Sequence, residues 1–262
     1  MGSDDMTPTS NAQPCESQLS GKRVLITGGG SGIGADMALA FAQAGAAVTI
    51  TGRRDGPLAA MADRHPGIRG EVVDVTDEAA MAALFAGLGE LDIVIANAGA
   101  ADSAPLSRTS LAQWQRMLDV NLTGVFLTLR EGLAHLANDG RLIAVASTAG
   151  LKGYAYVAPY CAAKHGVVGL VRALAQETAS RGITVNALCP GFTDTPLLEQ
   201  SVETIVSKTG QDSEQARDHF RSVNPSGRLV QPAEVTATAL WLCGPHSGAI
   251  NGQAISISGG ET

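Results

Sequence analysis

Apolar residues in this chain come in short runs, and the stretches between them are rich in Ala and Leu with polar residues at helical intervals. Seven runs read as strands: "RVLIT" at 23–27, "AVTIT" at 47–51, "GEVV" at 70–73, "DIVIA" at 92–96, "RLIAVAS" at 141–147, "ITVNAL" at 183–188 and "QAISI" at 253–257. Several are continuously apolar, the pattern of strands covered on both faces. Helix-like segments lie between nearly all of them, including 157–180 and a closing one at about 232–242. This alternation predicts a mostly parallel, seven-stranded sheet with helices on both faces, a doubly wound α/β fold. No linker divides the chain and nothing repeats beyond the strand–helix unit, so residues 20–262 are expected to form one domain.

Two segments depart from the pattern. Residues 1–19 are polar, with Pro8 and Pro14, and read as a disordered tail without the apolar stretch of a secretory signal. A long excursion then separates Pro190 from Gln253. It starts amphipathically, with Leu197, Leu198, Val202, Ile205 and Val206, and continues through the polar "SEQARDHF". Ligands bind beyond the carboxyl ends of parallel strands, so about 195–225 is expected to be a substrate lid, with a plain pair of surface helices as the alternative.

Composition narrows the class. Hydrophobic residues make up 45% and charged ones 16%, enough for a large core. A net charge of −7 argues against nucleic acid as a partner. No apolar run approaches the roughly 20 residues that span a bilayer, so no membrane role is expected. Cys15, Cys161, Cys189 and Cys243 show no paired or metal-type spacing, and the five histidines are scattered. Free thiols, no catalytic metal and a cytoplasmic protein are expected.

The chemistry begins at "RVLITGGGSGIGADMALAFAQAG". A strand runs through glycines into an amphipathic helix, the setting of a Rossmann-type dinucleotide site. Gly28, Gly32 and Gly34 let backbone N–H groups approach a pyrophosphate at the positive end of the helix dipole. At the end of the second strand, where enzymes that prefer NAD commonly place an acidic residue, "TITGRRD" has Gly52 followed by Arg53 and Arg54. Guanidinium groups suit a 2′-phosphate, so NADP is favoured and NAD remains possible. Arg53 stacking on adenine, an exposed Arg54 or Asp55 turning inward are the alternatives. Further on, Tyr160 and Lys164 stand four apart at the start of a helix and share one face. Beside a nicotinamide, an ammonium there would favour the phenolate, lowering the tyrosine pKa from its usual value near 10 towards neutrality. Without one, the pair could equally be a core tyrosine beside a snorkelling lysine.

The spacing Thr27-Gly28-x-x-x-Gly32-Ile33-Gly34 resembles the short-chain dehydrogenase/reductase family, in its common branch of about 250 residues. "NAG" at Asn97–Gly99, Asn121 in "DVNLTGVF", Ser147 in "VAST", Tyr160-x-x-x-Lys164, and Pro190–Gly191 in "CPGFTDTP" follow in the family's order. "GRLVQPAEV" and "NGQAISISGG" match its C-terminal pattern, so the resemblance covers about residues 20–260. Ala96 stands where a second Asn is frequent, and the four-residue Tyr–Lys spacing differs from that of many enoyl reductases. The resemblance implies Asn121, Ser147, Tyr160 and Lys164 as catalytic residues. In it, Tyr160 is the general acid, Ser147 binds the substrate oxygen, Lys164 holds the nicotinamide ribose and Asn121 holds a water relaying protons from Lys164.

The same resemblance implies cofactor contacts from Gly28, Ser31, Gly32, Ile33 and Gly34, and from Arg53, Arg54, Asp74 and Val75. Asn97, Ala98, Gly99, Tyr160 and Lys164 join them, with Pro190, Gly191, Thr193 and Thr195 beyond. Asp74 would accept from the adenine amino group, with a turn or helix cap as its alternative role. Tyr154 is expected to line the substrate pocket with Ser147 and Tyr160, and Tyr156 is a further candidate unless it only packs under the lid. The family's usual assembly implies a homotetramer or homodimer. The activity so implied is NAD(P)-dependent interconversion of a secondary alcohol and a ketone. A 3-oxoacyl thioester or similar β-keto substrate leads, ahead of a steroid, polyol or cyclic alcohol. A redox-sensing protein that binds the nucleotide without turnover is the alternative from another class.

Overall fold

A computed structural model describes residues 18–262. Its elements run β1 (Arg23–Thr27), α1 (Gly32–Gln43), β2 (Ala47–Gly52), α2 (Asp55–Ala62), β3 (Ile68–Val72), α3 (Glu78–Leu88) and β4 (Leu91–Ala96). They continue through α4 (Leu111–Leu118), α5 (Gly124–His135), β5 (Leu136–Val145), α6 (Ala158–Thr178) and β6 (Thr184–Pro190). The chain closes with α7 (Pro196–Thr209), α8 (Ser213–Val223), α9 (Pro232–Leu242) and β7 (Ala254–Ile257).

The seven strands form one sheet in the order β3-β2-β1-β4-β5-β6-β7, and every neighbouring pair is parallel. Strand order therefore reverses between β1 and β4. Their following loops diverge and leave a crevice at the carboxyl edge. Apolar side chains cover both faces. Met37, Phe41, Ile50 and Ile95 pack on one side; Met81, Phe85, Leu129 and Leu142 pack on the other.

Three boundaries differ from the sequence expectation. The tail was expected to reach residue 19, and residues 1–17, with Cys15, lie outside the described residues. Leu19 is inside the domain, however: it is 3% exposed and its N–H bonds to the Ala44 carbonyl at 3.1 Å. β5 begins at Leu136, five residues early, because Leu136 pairs with Leu91 before an irregularity shifts the register. It also ends at Val145, so Ser147 stands beyond the strand on a short 3₁₀ turn at Thr148–Gly150.

The excursion after β6 forms α7 and α8, which pack Leu198, Val202, Ala216 and Phe220 with Leu229 into a small cluster of their own. Thr195 caps α7 and Asp212 caps α8, each side chain accepting from a backbone N–H of the first turn.

Candidate active site

The crevice is assembled by two loops that are pinned together. Thr27, buried at the end of β1, accepts the N–H groups of Asn97 and Ala98 at 3.0 and 3.1 Å. Asn97 returns two bonds through Nδ2, to the carbonyls of Thr27 and Gly28. Gly28 has φ of 68°, and a methyl group on it would lie 2.8 Å from Ala98 Cα, so no other residue fits there. Gly34 is equally crowded by Asn97 and the Gly28 carbonyl. Two of the glycines expected to admit a pyrophosphate are thus also required by the chain's own packing.

Beyond them, exposed Ser31 precedes α1 without a side-chain cap, and Gly32 and Ile33 are partly open. The first turn of α1 therefore presents N–H groups to the crevice, as an anion needs. Gly32 faces Thr195 from across the crevice, where a methyl group would lie 3.3 Å from Thr195 Cγ2. The segment after Pro190 and Gly191 thereby closes the cradle from the other side. Thr193 is buried and donates to the Gly191 carbonyl at 2.9 Å. Arg53 and Arg54 stand exposed at the end of β2, with no ion pair among the described residues. Asp55, also exposed, opens α2.

Two cofactor candidates have structural work. One oxygen of Asp74 accepts from the Thr76 N–H and hydroxyl at 3.0 and 2.8 Å, forming a turn and leaving its second oxygen for another donor. Val75 is buried against Gly124, where a methyl group would lie 2.7 Å from its Cγ2.

Tyr160 occupies the first turn of α6, with Lys164 one turn on. Gly150 sets the Ser147 turn against that helix: a methyl group there would lie 2.7 Å from the Lys164 carbonyl. Ser147 accepts the Ala149 N–H at 3.1 Å, and its hydroxyl stands near enough to the Tyr160 phenol to favour the phenolate. Tyr160 is half-buried, which leaves its ring reachable. Lys164 is 3% exposed, donates to the Val145 carbonyl at 2.8 Å and lies 5.6 Å from the Tyr160 ring centroid.

Burial dominates the electrostatics of the pair. Burial pushes the Tyr160 phenol up to about 12, opposed by the nearby Ser147 hydroxyl. Burial also pulls Lys164 down to about 8. In the chain alone burial outweighs any pull of the ammonium on the phenol. Within the chain alone, Tyr160 is held protonated across the neutral range.

Asn121 is 0% exposed in a π-helical turn, Asp119–Thr123, that joins α4 to α5. Such turns concentrate at functional sites. Its Nδ2 donates to the carbonyls of Ala100 and Met117 at 2.9 and 3.0 Å, and its Oδ1 accepts the Ala100 N–H. Both side-chain donors are taken, so the expected water cannot be held by the Asn121 amide protons; the side chain folds the loop after β4. Gly99 brings Asn121 and Lys164 together: a methyl group there would lie 3.1 Å from Asn121 Oδ1 and 3.9 Å from Lys164 Nζ.

On the substrate side, Tyr154 is half-buried and bonds Thr148 and Glu261 through its hydroxyl. Tyr156 does not pack under the lid. It is 66% exposed with φ of 68°, and its carbonyl accepts the Ala104 N–H. A bulky residue held in the left-handed region is strained, as occurs beside ligand sites.

A family model described as Enoyl-(Acyl carrier protein) reductase matches residues 28–262. The chain belongs to the short-chain dehydrogenase/reductase family. This is an oxidoreductase family, and its relatives here are dehydrogenases and ketoreductases. A putative ketoacyl reductase of Streptomyces coelicolor is 36% identical over 248 residues, 90% of this chain and 95% of that protein. D-beta-hydroxybutyrate dehydrogenase of Cupriavidus necator is 36% identical over 255 residues, covering 92% and 98%. Among solved structures, a point variant of actinorhodin polyketide ketoreductase with NADPH superposes with a TM-score of 0.87. It is 33% identical, across 94% of this chain and 98% of that one. The seven-stranded Rossmann-type sheet is thus the family's fold.

Thr27, Gly150 and the Val145 carbonyl escaped the sequence reading as site-building groups. The first two had a signal, a buried hydroxyl at a strand end and a glycine in a turn; the carbonyl had none. Among the described residues no three His, Cys, Asp or Glu side chains gather as a metal site, and no helix is long and apolar enough to cross a membrane.

Proposed function

We propose that this protein interconverts a ketone and a secondary alcohol using NADP(H), with Tyr160 as general acid in reduction and general base in oxidation. The observation that carries the reading is the convergence of Ser147, Tyr160 and Lys164 in the crevice onto which the glycine turn and the uncapped first turn of α1 open. The glycine turn and the first turn of α1 would hold the pyrophosphate, Lys164 the nicotinamide ribose, and Asp74 the adenine through its free oxygen. Bound there, the nicotinamide supplies or accepts a hydride. Ser147 donates its hydroxyl proton in a hydrogen bond to the substrate oxygen as charge develops on it. Tyr160 delivers its proton to that oxygen, and a phenol kept protonated at neutral pH suits the reductive direction. The ordinary role of general acid–base groups, about 10²- to 10⁴-fold in rate, is assigned to Tyr160.

For the substrate, a 3-oxoacyl thioester or related β-keto compound is favoured, supported by the names of the Streptomyces and Cupriavidus relatives. For the coenzyme, exposed Arg53 and Arg54 without acidic partners support NADPH, as does the NADPH of the solved ketoreductase. Assembly into a homotetramer or homodimer belongs to the same reading, supported by exposed Leu111 and Phe126 on α4 and α5.

A panel of 3-oxoacyl-CoA esters, ethyl acetoacetate and cyclohexanone, with NADPH and NADH followed by nicotinamide absorbance, tests the activity. Consumption of NADPH with a β-keto compound is expected; binding of the nucleotide with no turnover of any ketone would mark a sensor instead. Arg53→Ala should weaken NADPH about 10- to 100-fold while leaving NADH nearly unaffected, as a charge-assisted phosphate contact requires. Equal losses for both would make Arg53 an adenine platform.

A further inference from the structure

The turn after β7 folds back to the Ser147 side of the crevice and brings Glu261 with it. The Glu261 side chain is 2% exposed. Its Oε1 accepts the Tyr154 hydroxyl and lies 2.9 Å from Lys152 Nζ. Its Oε2 is buried with no hydrogen bond, against Gly191, where a methyl group would lie 3.2 Å away. A buried carboxylate with one bare oxygen is costly, and a glutamate in solvent would avoid that cost. The placement therefore needs a reason.

Tyr154 supplies one. Its hydroxyl also lies 2.6 Å from Thr148 Oγ1. A phenol has a single proton and an ionised carboxylate can only accept, so Tyr154 donates to Glu261 and takes the Thr148 proton. Both bonds fix the ring. That ring meets Phe192 edge-on, with centroids 5.8 Å apart, and Phe192 meets Phe220 of α8 at 4.8 Å. Lys152 sits 5.0 Å from the Tyr154 ring centroid. One line of contacts thus runs from Glu261 through Tyr154 and Phe192 to the lid, with the residue after Ser147 attached to it.

We propose that Glu261 is a positioning residue: it locks Tyr154, and with it the aromatic wall joining the Ser147 turn to α8, and so sets how tightly the substrate's body is gripped. Its influence falls on substrate affinity, while the proton donor and the glycine turn at 28–34 stand apart from it. A purely structural Glu261 would instead fasten β7 to the sheet.

The test uses the full chain with NADPH bound, comparing Glu261→Ala and Glu261→Gln with wild type. Hydrogen exchange needs no substrate. Glu261→Ala should speed exchange at 148–156 and in α8, with the glycine turn at 28–34 and β6 unchanged. Faster exchange confined to β6 and β7 would overturn the proposal. The kinetic arm rests on the ketone-reductase reading and uses ethyl acetoacetate or cyclohexanone, whichever wild type reduces faster. Glu261→Ala should raise KM at least about fivefold and lower kcat less than about twofold, the signature of lost uniform binding. Glu261→Gln keeps an acceptor for Tyr154 and should restore most of the affinity. An unaltered KM in Glu261→Ala, or glutamine as harmful as alanine, would overturn the proposal. If wild type reduces neither ketone, exchange alone decides for or against Glu261. Should Glu261→Ala not fold, Tyr154→Phe, which breaks the same bond from the other end, takes its place in both arms.

Discussion

The two walls of the crevice are built by different physics. Ser147, Tyr160 and Lys164 stand just beyond β5 and on α6, beside a β6 in which all seven residues are buried. Opposite them, α7 and α8 share one small apolar cluster and are otherwise held by surface charges. Arg217 pairs with Glu199 and Asp194, and Arg221 with Glu214 and Asp218. Lys208 reaches the Ser103 carbonyl at 3.3 Å. Burying one large apolar side chain contributes about 1.5–3 kcal/mol, whereas an exposed ion pair contributes roughly 0–1. On the proposed function, the reacting groups are therefore mounted on the part of the molecule that yields last, and the substrate's side on the part that opens at least cost. Reacting atoms need a fixed geometry; substrates need a way in.

The sharpest test of the rigid wall is Tyr160→Phe. It should cut turnover at least ~10²-fold with NADPH affinity and melting temperature nearly unchanged, because a single oxygen leaves and the ring remains. Steady-state kinetics and cofactor titration check this; near-native turnover would remove Tyr160 from the chemistry.

Lys164→Met probes what rigidity costs. Lys164 has its pKa depressed from 10.5 to about 8 in the folded chain. Above about pH 10.5 the amine is neutral in both states and its charge costs nothing. As pH falls, the unfolded chain takes up the proton first, so stability is lost between the two values and the penalty is constant below about 8. Its size is about 3 kcal/mol. The methionine variant should thus gain stability relative to wild type at pH 7 compared with pH 10.5, while losing activity. The lost bond to Val145 is common to both pH values and cancels. Denaturant titrations at the two pH values measure the difference, and a pH-independent difference would show that Lys164 carries no burial penalty.

The smallest effect is expected at the loose wall. Phe220→Ala should speed hydrogen exchange across α7 and α8 while β1, β4 and β6 keep their protection, and cofactor and substrate together should slow exchange in the wild-type lid. Equal protection with and without ligand would make the pair ordinary surface helices.

The rigid wall was also the more legible one. A glycine turn between a strand and a helix, and a tyrosine four residues before a lysine, are local signals, because neighbours in sequence become neighbours in space through helix and turn geometry alone. The parallel, doubly wound sheet followed from the alternation of strands and helices. What escaped depends on distant contacts. Glu261 reaches Tyr154 across 107 positions. Leu136 becomes a strand residue only because Leu91 lies beside it, and Leu19 joins the core through Ala44. The upward shift of Tyr160 in the chain alone escaped for a related reason. Spacing shows that a cation is near, but it does not show how much protein surrounds both groups, and here burial prevails over charge.

The Thr27 hydroxyl has a consequence for how this protein can vary. One oxygen atom takes the N–H groups of Asn97 and Ala98, so the loops after β1 and β4 share an anchor. Valine has the same outline and would strand both donors in the interior; alanine would add a void. Serine alone keeps the oxygen. A library that diversifies the pocket can range over Tyr156, Leu197 or the polar face of α8. At Thr27 its viable neighbourhood shrinks to a single step, because that one change would be felt on both banks of the crevice at once.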